Sequence, residues 1–219
     1  MARVVVFGTG DIARLALYYF SHDSDHEVVA FTVDEEYLDG SEFEGRPLVG
    51  FRSIVGRYPP GENAAFVALS YARMNQVRAE KFAAMREAGY KLLSYVSSRC
   101  SYLTEHAVGA NCFILEDNTI QPFARIGDDV TLWSGNHIGH HSRIDDHCFI
   151  TSHVVVSGNC RIGRYCFIGV NATLRNGLAI GEATLVGAGA TIMHDTEERS
   201  VYVPPRAVRL ERRSDEVTL

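Results

Sequence analysis

A six-residue repeat runs through the second half of the chain and constrains its fold more than any other feature. Every sixth residue from Val108 to Ile192 is aliphatic, without an exception in fifteen repeats. These residues are at positions 108, 114, 120, 126, 132, 138, 144, 150, 156, 162, 168, 174, 180, 186 and 192. The period of 3.6 for a helix does not explain this spacing, nor does the period of two for a sandwich strand. A hexapeptide repeat that builds a parallel β-helix does explain it.

The repeat predicts a triangular prism in which each hexapeptide forms a short strand and a turn on one face. Three hexapeptides make one coil, and successive coils stack about 4.8 Å apart. Fifteen repeats therefore predict about five coils. The aliphatic side chain points into the prism, and a small residue four positions later fits the corner. Glycine directly follows the aliphatic residue in seven repeats, and we expect it to supply backbone freedom at the turn.

The cysteines and the histidines of the repeat region do not form a metal-binding pattern. Four of the five cysteines occupy the small inward position, where a thiol acts as a compact hydrophobic group; they are Cys112, Cys148, Cys160 and Cys166. There is no CxxC pair. Histidines share one position of successive hexapeptides at His141, His147 and His153, so they project from three different faces. We expect no metal site.

Composition narrows the possible partners. The 219 residues carry a net charge of −6 without a block rich in Lys or Arg, which disfavours nucleic acid and anionic membranes. The apolar stretches are shorter than a bilayer span, so membrane insertion is not expected. The chain begins directly with a strand and without the anatomy of a signal peptide, so a cytoplasmic location is expected.

Residues 1–100 follow a different pattern, in which strands alternate with helices. Strands are predicted at 4–7, 28–33, 65–69 and 91–96, and helices at 11–20 and 75–88. This alternation is typical of a parallel α/β sheet. We therefore expect an α/β domain over residues 1–100, followed by a β-helix domain with an exit segment over residues 101–219.

The first turn of the α/β domain has the G-x-G-x-x-A form of a nucleotide-binding turn. It contains Gly8, Thr9, Gly10 and Asp11, and the second strand ends at Asp34. The glycines let backbone N–H groups approach an anion, and an acidic residue after the second strand can bind a ribose or base. A tight turn without a ligand remains an alternative. Because a hundred residues hold little more than half of a dinucleotide fold, a mononucleotide or a nucleotide-linked sugar fits better.

Several segments together resemble a known family. They are the first turn (residues 5–10), IGHHSRI (138–144), CFIGVNA (166–172), VGAGA (186–190) and the exit segment VYVPPR (201–206). With these segments the chain resembles the bacterial sugar O- and N-acyltransferases of the sialic acid O-acetyltransferase group, which are related to acetyltransferases of UDP-4-amino sugars. The resemblance implies a half-Rossmann domain, a left-handed β-helix and a homotrimer with its active site between adjacent prisms. It also implies acetyl-CoA as the donor and a sugar, nucleotide-linked or lipid-directed, as the acceptor.

The resemblance also implies roles for single residues. His140 matches the general base, and Gly139 and His141 stand where relatives have acidic neighbours. Phe149 stands where relatives place a second histidine at the thioester. The positions that match the pantetheine groove are Gly158, Val170 and Ala188. Relatives that bind metal have two histidines five residues apart, a spacing that this chain lacks.

The repeat independently draws attention to His140. Its eighteen-residue column contains Pro122, His140, Gly158 and Asn176, so a glycine next to the histidine leaves a notch for a thioester. A neutral histidine can take the proton of an attacking amine or hydroxyl near pH 7. We expect direct attack, because no Cys or Ser is placed beside a base. A simple polar corner remains the alternative for His140.

Two further expectations concern the surface. Arg206 and Arg209 could meet CoA phosphates or could simply be solvated. Aromatic residues expected on the outside of the prism could be buried by three-fold packing; they are Phe123, Trp133, Phe149 and Phe167.

Three functions remain open on the sequence alone. The leading hypothesis is an acetyl-CoA-dependent sugar acetyltransferase. The second is the same fold with a formyl or another acyl donor, and the third is a β-helix scaffold that senses a nucleotide-sugar without catalysis.

Overall fold

The computed structural model describes residues 1–209, 211 and 213–216. The N-terminal part is an α/β unit around a five-stranded sheet. Its strands are β1 (Arg3–Phe7), β2 (Glu27–Val33), β3 (Glu42–Phe43), β4 (Arg46–Gly50) and β5 (Asn63–Val67), and its helices are α1 (Asp11–His22), α2 (Phe51–Arg57) and α3 (Gln76–Glu87). The strand order is β3-β4-β2-β1-β5, and all pairs are parallel except the β3–β4 hairpin.

The α/β pattern of the sequence is confirmed, with additions. Strand β1 is apolar throughout its buried length because helices cover both faces of a parallel sheet. Helix α1 buries Ala13, Ala16 and Phe20, which recur on one side of the helix. The β3–β4 hairpin and α2 were not predicted from the sequence. No helix within the described residues is both long enough and apolar enough to span a bilayer.

The rest of the chain winds into a β-helix of two-residue strands. They are β6 (Tyr95–Val96), β7 (Ser101–Tyr102), β8 (Phe113–Ile114), β9 (Thr119–Ile120), β10 (Arg125–Ile126), β11 (Thr131–Leu132), β12 (His137–Ile138), β13 (Arg143–Ile144), β14 (Phe149–Ile150), β15 (Val155–Val156), β16 (Arg161–Ile162), β17 (Phe167–Ile168), β18 (Thr173–Leu174), β19 (Ala179–Ile180), β20 (Leu185–Val186), β21 (Thr191–Ile192) and β22 (Val201–Tyr202). Short 3-10 turns lie at Glu35–Tyr37 and Ser214–Glu216.

These strands form the three faces of the prism. Face 1 contains β6, β8, β11, β14, β17, β20 and β22; face 2 contains β7, β9, β12, β15, β18 and β21; face 3 contains β10, β13, β16 and β19. Partners on a face are parallel and eighteen residues apart where the coil is regular, as in Ile126, Ile144 and Ile162. The parallel β-helix predicted from the repeat is therefore confirmed.

The prism core is built as the repeat predicted. The aliphatic residues from Ile114 to Ile192 are at most 5% exposed. The four cysteines of the small position belong to the same core and are at most 2% exposed. Burial raises the pKa of the Cys112 thiol to about 12, which keeps that thiol protonated and unreactive at neutral pH.

The role expected for the repeat glycines is wrong. Left-handed backbone occurs at the third residue after the aliphatic one, for example at His141 with φ 59° and Asn159 with φ 58°. The glycine that directly follows the aliphatic residue is instead required by the close approach of coils. A Cβ on Gly139 would lie 2.5 Å from the backbone nitrogen of Gly158 in the next coil.

The α/β unit covers face 1 of the prism. Tyr95 and Phe113 of face 1 share a core with Phe20 and Phe66 of the α/β unit. Residues 91–96 were expected to complete the α/β sheet, but they divide between the two parts. Leu92 forms a single bridge to Ala65, whereas β6 pairs with β8 of the prism.

This covering corrects the expectation for the aromatic residues. Phe149 is 1% exposed, and its ring and that of Phe167 pack on Tyr71 at centroid distances of 5.1 and 4.7 Å. Trp133 packs against the core shared with the α/β unit. Among the four aromatics, Phe123 stays exposed, at 50%. The other three pack against the chain's own N-terminal unit.

Candidate functional site

A pair of histidines forms one corner of the prism. His140 and His141 lie in the turn between β12 on face 2 and β13 on face 3, and both are exposed. The backbone N–H of His140 donates to Oε1 of Gln121 at 2.9 Å, which ties the turn to the preceding coil. The left-handed backbone of His141 turns the chain back towards face 3.

The two imidazoles contact each other directly. Nδ1 of His140 lies 3.0 Å from Nδ1 of His141. A hydrogen bond between two neutral imidazoles needs a proton on one nitrogen and a lone pair on the other, so the tautomers must be complementary. The His141 ring also packs on Phe123, with centroids 4.6 Å apart. The resemblance implies an acidic neighbour for His140 at this position, and His141 instead supplies the hydrogen-bonding partner.

The imidazole of His140 lies over Gly158 of the next coil. A Cβ at residue 158 would lie 2.7 Å from both Cε1 and Nε2 of the His140 ring, and 3.1 Å from Oδ1 of Asn176. The eighteen-residue column predicted from the repeat is therefore present. The notch expected above Gly158 is filled by the imidazole itself, so the glycine accommodates the His140 ring rather than an open space.

The four residues expected along the acyl donor do not form one surface within a chain. Phe149 is enclosed between the prism and the α/β unit, so its side chain is removed from the candidate groove. Gly158 follows β15 on face 2 and lies on the edge that carries His140. Val170 and Ala188 follow β17 and β20 on face 1 and lie, exposed, on the other edge of face 2.

The first turn of the α/β unit has the shape expected for a ligand-binding turn. Gly8 has φ 122°, and a Cβ there would lie 2.8 Å from the carbonyl oxygen of Ala68. Gly10 begins α1 without a side-chain cap, and a Cβ there would meet no atom within 4 Å. Thr9 is half-buried, and Asp11 is exposed in the first turn of α1. The turn thus opens the N-terminus of α1 to the surroundings.

The carboxylate of Asp34 already has a partner. Lys81 of α3 places Nζ 2.7 Å from the Asp34 carboxylate and 5.5 Å from the centre of the Phe7 ring. Lys81 was not predicted from the sequence, because it lies far along the chain from Asp34 and on a helix with a charged surface. The carboxyl edge of β1 and β2 therefore has a cation beside the predicted acid, and a lysine there can bind phosphate.

The other expected groups lie apart. His147 is buried against Asp129, with Nδ1 2.9 Å from Oδ2, and Nε of Arg78 is 3.1 Å from the same oxygen. His153 packs beside Gly135 at another corner. Over the residues that the structure describes, no three His, Cys, Asp or Glu side chains are grouped to hold a metal ion. Arg206 and Arg209 are exposed after β22.

Comparison with known proteins identifies others with this architecture. Residues 123–158 match the family model of the bacterial transferase hexapeptide, which contains six repeats. No curated protein sequence matches the chain significantly. The fold itself is similar to that of several solved structures, which are about one-fifth identical in sequence.

Three of these structures cover most of the chain. The acetyltransferase domain of PglB from Neisseria gonorrhoeae is 20% identical, with a TM-score of 0.76 over 92% of this chain and 96% of its own. A histidine variant of perosamine N-acetyltransferase from Caulobacter crescentus, in complex with CoA and GDP-perosamine, is 21% identical, with a TM-score of 0.80 over 92% and 93%. WeeI from Acinetobacter baumannii is 19% identical, with a TM-score of 0.75 over 92% and 96%.

The fold class follows from these findings. The chain has a small N-terminal α/β unit followed by a left-handed β-helix built from hexapeptide repeats. More particularly, it shares the fold of the acetyltransferase domain of PglB and of perosamine N-acetyltransferase over nearly its whole length.

Proposed function

We propose that the protein is an acetyl-CoA-dependent acetyltransferase that acylates an amino or hydroxyl group of a nucleotide-linked sugar. The hydrogen-bonded pair of His140 and His141 at an exposed corner of this fold carries the proposal. The similar structure from Caulobacter crescentus holds both CoA and GDP-perosamine, which supports this pairing of donor and acceptor.

His140 acts as the general base in this proposal. If Nδ1 of His140 carries the proton and donates to Nδ1 of His141, the lone pair of His140 lies on Nε2. That nitrogen then accepts the proton of the sugar amine or hydroxyl as it attacks the thioester carbonyl carbon. The carbon–sulfur bond breaks, and the proton passes from His140 to the departing thiolate, so no acyl-enzyme is formed.

The α/β unit binds the nucleotide part of the acceptor in this proposal. The open N-terminus of α1 at Gly10 offers backbone N–H groups to a phosphate. Lys81 adds a positive charge at the carboxyl edge of β1 and β2. Both carboxylate oxygens of Asp34 contact Nζ of Lys81, and their remaining lone pairs can accept from a ribose hydroxyl or a base N–H.

The donor groove is proposed to form between two copies of the chain. Val170 and Ala188 lie on one edge of face 2, and His140 lies on the other. A single groove can be lined by both edges only if one copy supplies His140 and a neighbour supplies Val170 and Ala188. This arrangement supports a closed homo-oligomer with shared sites, and a homotrimer suits the three-faced prism.

Ligand binding tests this function against the scaffold alternative. Thermal unfolding is followed with acetyl-CoA, CoA, UDP and GDP, each added separately and in pairs. We expect stabilisation by both classes of ligand, because each binds only the folded chain. A scaffold that senses nucleotide-sugars would respond to the nucleotides and ignore CoA, and that result would refute the enzyme. Formyl donors in a parallel series test the alternative acyl group.

A further inference from the structure

An arginine ladder runs down face 3 of the prism and ends beside the histidine pair. Arg125, Arg143 and Arg161 are the outward residues of β10, β13 and β16, and their strands are paired in register. All three are exposed. Coils are about 4.8 Å apart, so the guanidinium groups project as close neighbours of like charge. Like charges directly opposite each other on paired strands are destabilising.

Carboxylates near this ladder neutralise the charges of its three arginines unequally. Asp145 accepts from Nε of Arg143 and lies 3.5 Å from Arg161, so it serves two of the three guanidinium groups. The backbone N–H of Arg125 donates to the carbonyl oxygen of Ser142, but its guanidinium forms no hydrogen bond or salt bridge with a described residue. Glu105 lies close enough to Arg125 to feel its charge: the pKa of Glu105 is lowered chiefly by its own backbone N–H and, to a smaller extent, by the charges of His106 and Arg125. Glu105 is itself paired with His106 at 3.1 Å.

The unpaired end of the ladder lines a cavity beside the histidine pair. The cavity has a volume of about 490 Å³, and its walls include Arg125, Arg143, Phe123, His141, His106 and one carboxylate, that of Glu105. His141 contacts His140 on one side and lines this cavity on the other. A guanidinium fork matches the oxygen atoms of a phosphate, and an aromatic wall can pack against the rest of such a ligand.

We infer that this cavity binds a phosphate group of one of the two substrates, with Arg125 as its main contact and Arg143 as the second. The inference rests on the proposed function, because CoA and a nucleotide-linked sugar both carry phosphates. Bound phosphate would accept hydrogen bonds from the Arg125 guanidinium, to which no described carboxylate is directly bonded, because Glu105 pairs with His106. It would also hold the substrate next to His140, so the cavity would position the reacting group as well as bind the phosphate.

Equilibrium binding to variants of the ladder tests the inference. Arg125→Gln and Arg143→Gln remove the two cavity arginines, and Arg161→Gln is the matched control on the same face but outside the cavity. Each protein is titrated calorimetrically with CoA, 3′-dephospho-CoA, UDP and GDP. We expect one of these ligands to bind Arg125→Gln roughly 10- to 100-fold more weakly, which is the effect of losing a charge-assisted hydrogen bond. Arg161→Gln should bind within about twofold of the wild type, as an exposed charge on the rim does.

The ligands separate the possible sources of the phosphate. Weaker binding of CoA with unchanged binding of 3′-dephospho-CoA assigns the cavity to the 3′-phosphate of the donor. Weaker binding of both CoA forms assigns it to the donor's diphosphate, and weaker binding of UDP or GDP assigns it to the acceptor. Arg125→Lys should recover part of the loss, because it keeps the charge but not the fork.

Two results would overturn the inference. One is equal affinity of the wild type and the three Gln variants for every ligand, including the case in which none of the ligands binds. The other is a change of molecular mass in Arg125→Gln with unchanged ligand affinity, which would make the ladder a contact between copies. A protein that binds phosphate through Arg125 but transfers no acetyl group would refute the proposed function and leave this inference standing.

Discussion

The imidazole of His140 can lie over the neighbouring coil only because residue 158 is glycine. The Cβ of any other residue would come within 2.7 Å of the imidazole, well inside van der Waals contact. The same glycine cannot be explained by left-handed backbone, because Gly158 does not have a positive φ. The position of the candidate base His140 thus depends on Gly158, which has no functional group that could take part in the reaction.

This coupling predicts the effect of Gly158→Ala. The methyl group should push the imidazole away from its position and lower turnover by about 100-fold, as small misplacements of reacting groups do. In the background of His140→Ala, the same substitution should have almost no further effect, because the displaced ring is already absent. Initial rates of the two single variants and the double variant give the comparison. Equal losses with and without His140 would show that Gly158 acts in another way.

At the scale of elements, the carboxylate of Asp23 connects the C-terminal end of α1 to the first coil of the prism. Asp23 accepts hydrogen bonds from the Tyr95 hydroxyl at 2.5 Å, the Ser97 hydroxyl at 3.1 Å and the Ser98 backbone at 2.9 Å. Hydrogen bonds from Ser98 and Tyr95 lower the pKa of Asp23 to about 2. The ionised carboxylate of Asp23 therefore links the α/β unit to the β-helix.

This contact predicts a stability change in acid. Since the pKa of Asp23 is lower in the folded chain than its ordinary value of 3.8, the stabilisation is complete above about pH 4 and is lost as the pH falls towards 2. Asp23→Asn should melt below the wild type at pH 7, and the difference should shrink as the pH approaches 2. The exposed neighbour Asp25 supplies the control variant Asp25→Asn. Melting curves that stay parallel from pH 7 to pH 2 would contradict the role of Asp23.

The open N-terminus of α1 predicts a selective effect of Gly10→Val. No atom lies within 4 Å of the added Cβ, so the melting temperature should change little. The side chain would, however, occupy the space through which a phosphate approaches the helix. We expect a strongly raised KM for the nucleotide-linked acceptor and an unchanged KM for acetyl-CoA, measured by steady-state kinetics. An unchanged acceptor KM would remove the nucleotide site from the α/β unit.

The individual elements also show which features of the fold could be predicted from the sequence. A strict period fixes which side chains enter the prism, so the inward aliphatic residues and cysteines, and the alignment of His140 with Gly158, were predictable. The period does not tell whether an outward aromatic such as Phe149 meets the chain's own N-terminal unit or a second copy. Contacts such as Lys81 with Asp34 join separate elements 47 residues apart, and no local pattern reveals them.

At the scale of the whole molecule, the α/β unit covers one face of the prism and leaves the edges of face 2 free. Phe123, Val155 and Val170 remain exposed on the prism, at 39–50%. Burial of these side chains in a closed assembly would also bring the His140 edge of one copy towards the Val170 edge of another. The proposed active site is incomplete without such a neighbour.

The assembly predicts a mass in solution. Light scattering at micromolar concentration should give three times the chain mass of 24.3 kDa. Val170→Glu places a charge on the proposed contact and should lower the mass, and turnover should fall with it. A monomer that is fully active would contradict the shared site.

The central claim is that His140 is the base of an acetyl transfer, and thiol release from acetyl-CoA tests it most directly. The wild type, His140→Ala and His141→Ala are compared with nucleotide-linked amino sugars as acceptors, and CoA affinity is measured alongside. We predict acceptor-dependent release of thiol that falls roughly 100- to 10,000-fold in His140→Ala, falls less in His141→Ala, and leaves CoA affinity nearly unchanged. Equal turnover in the wild type and His140→Ala, or a larger loss in His141→Ala than in His140→Ala, would contradict the assignment of the base.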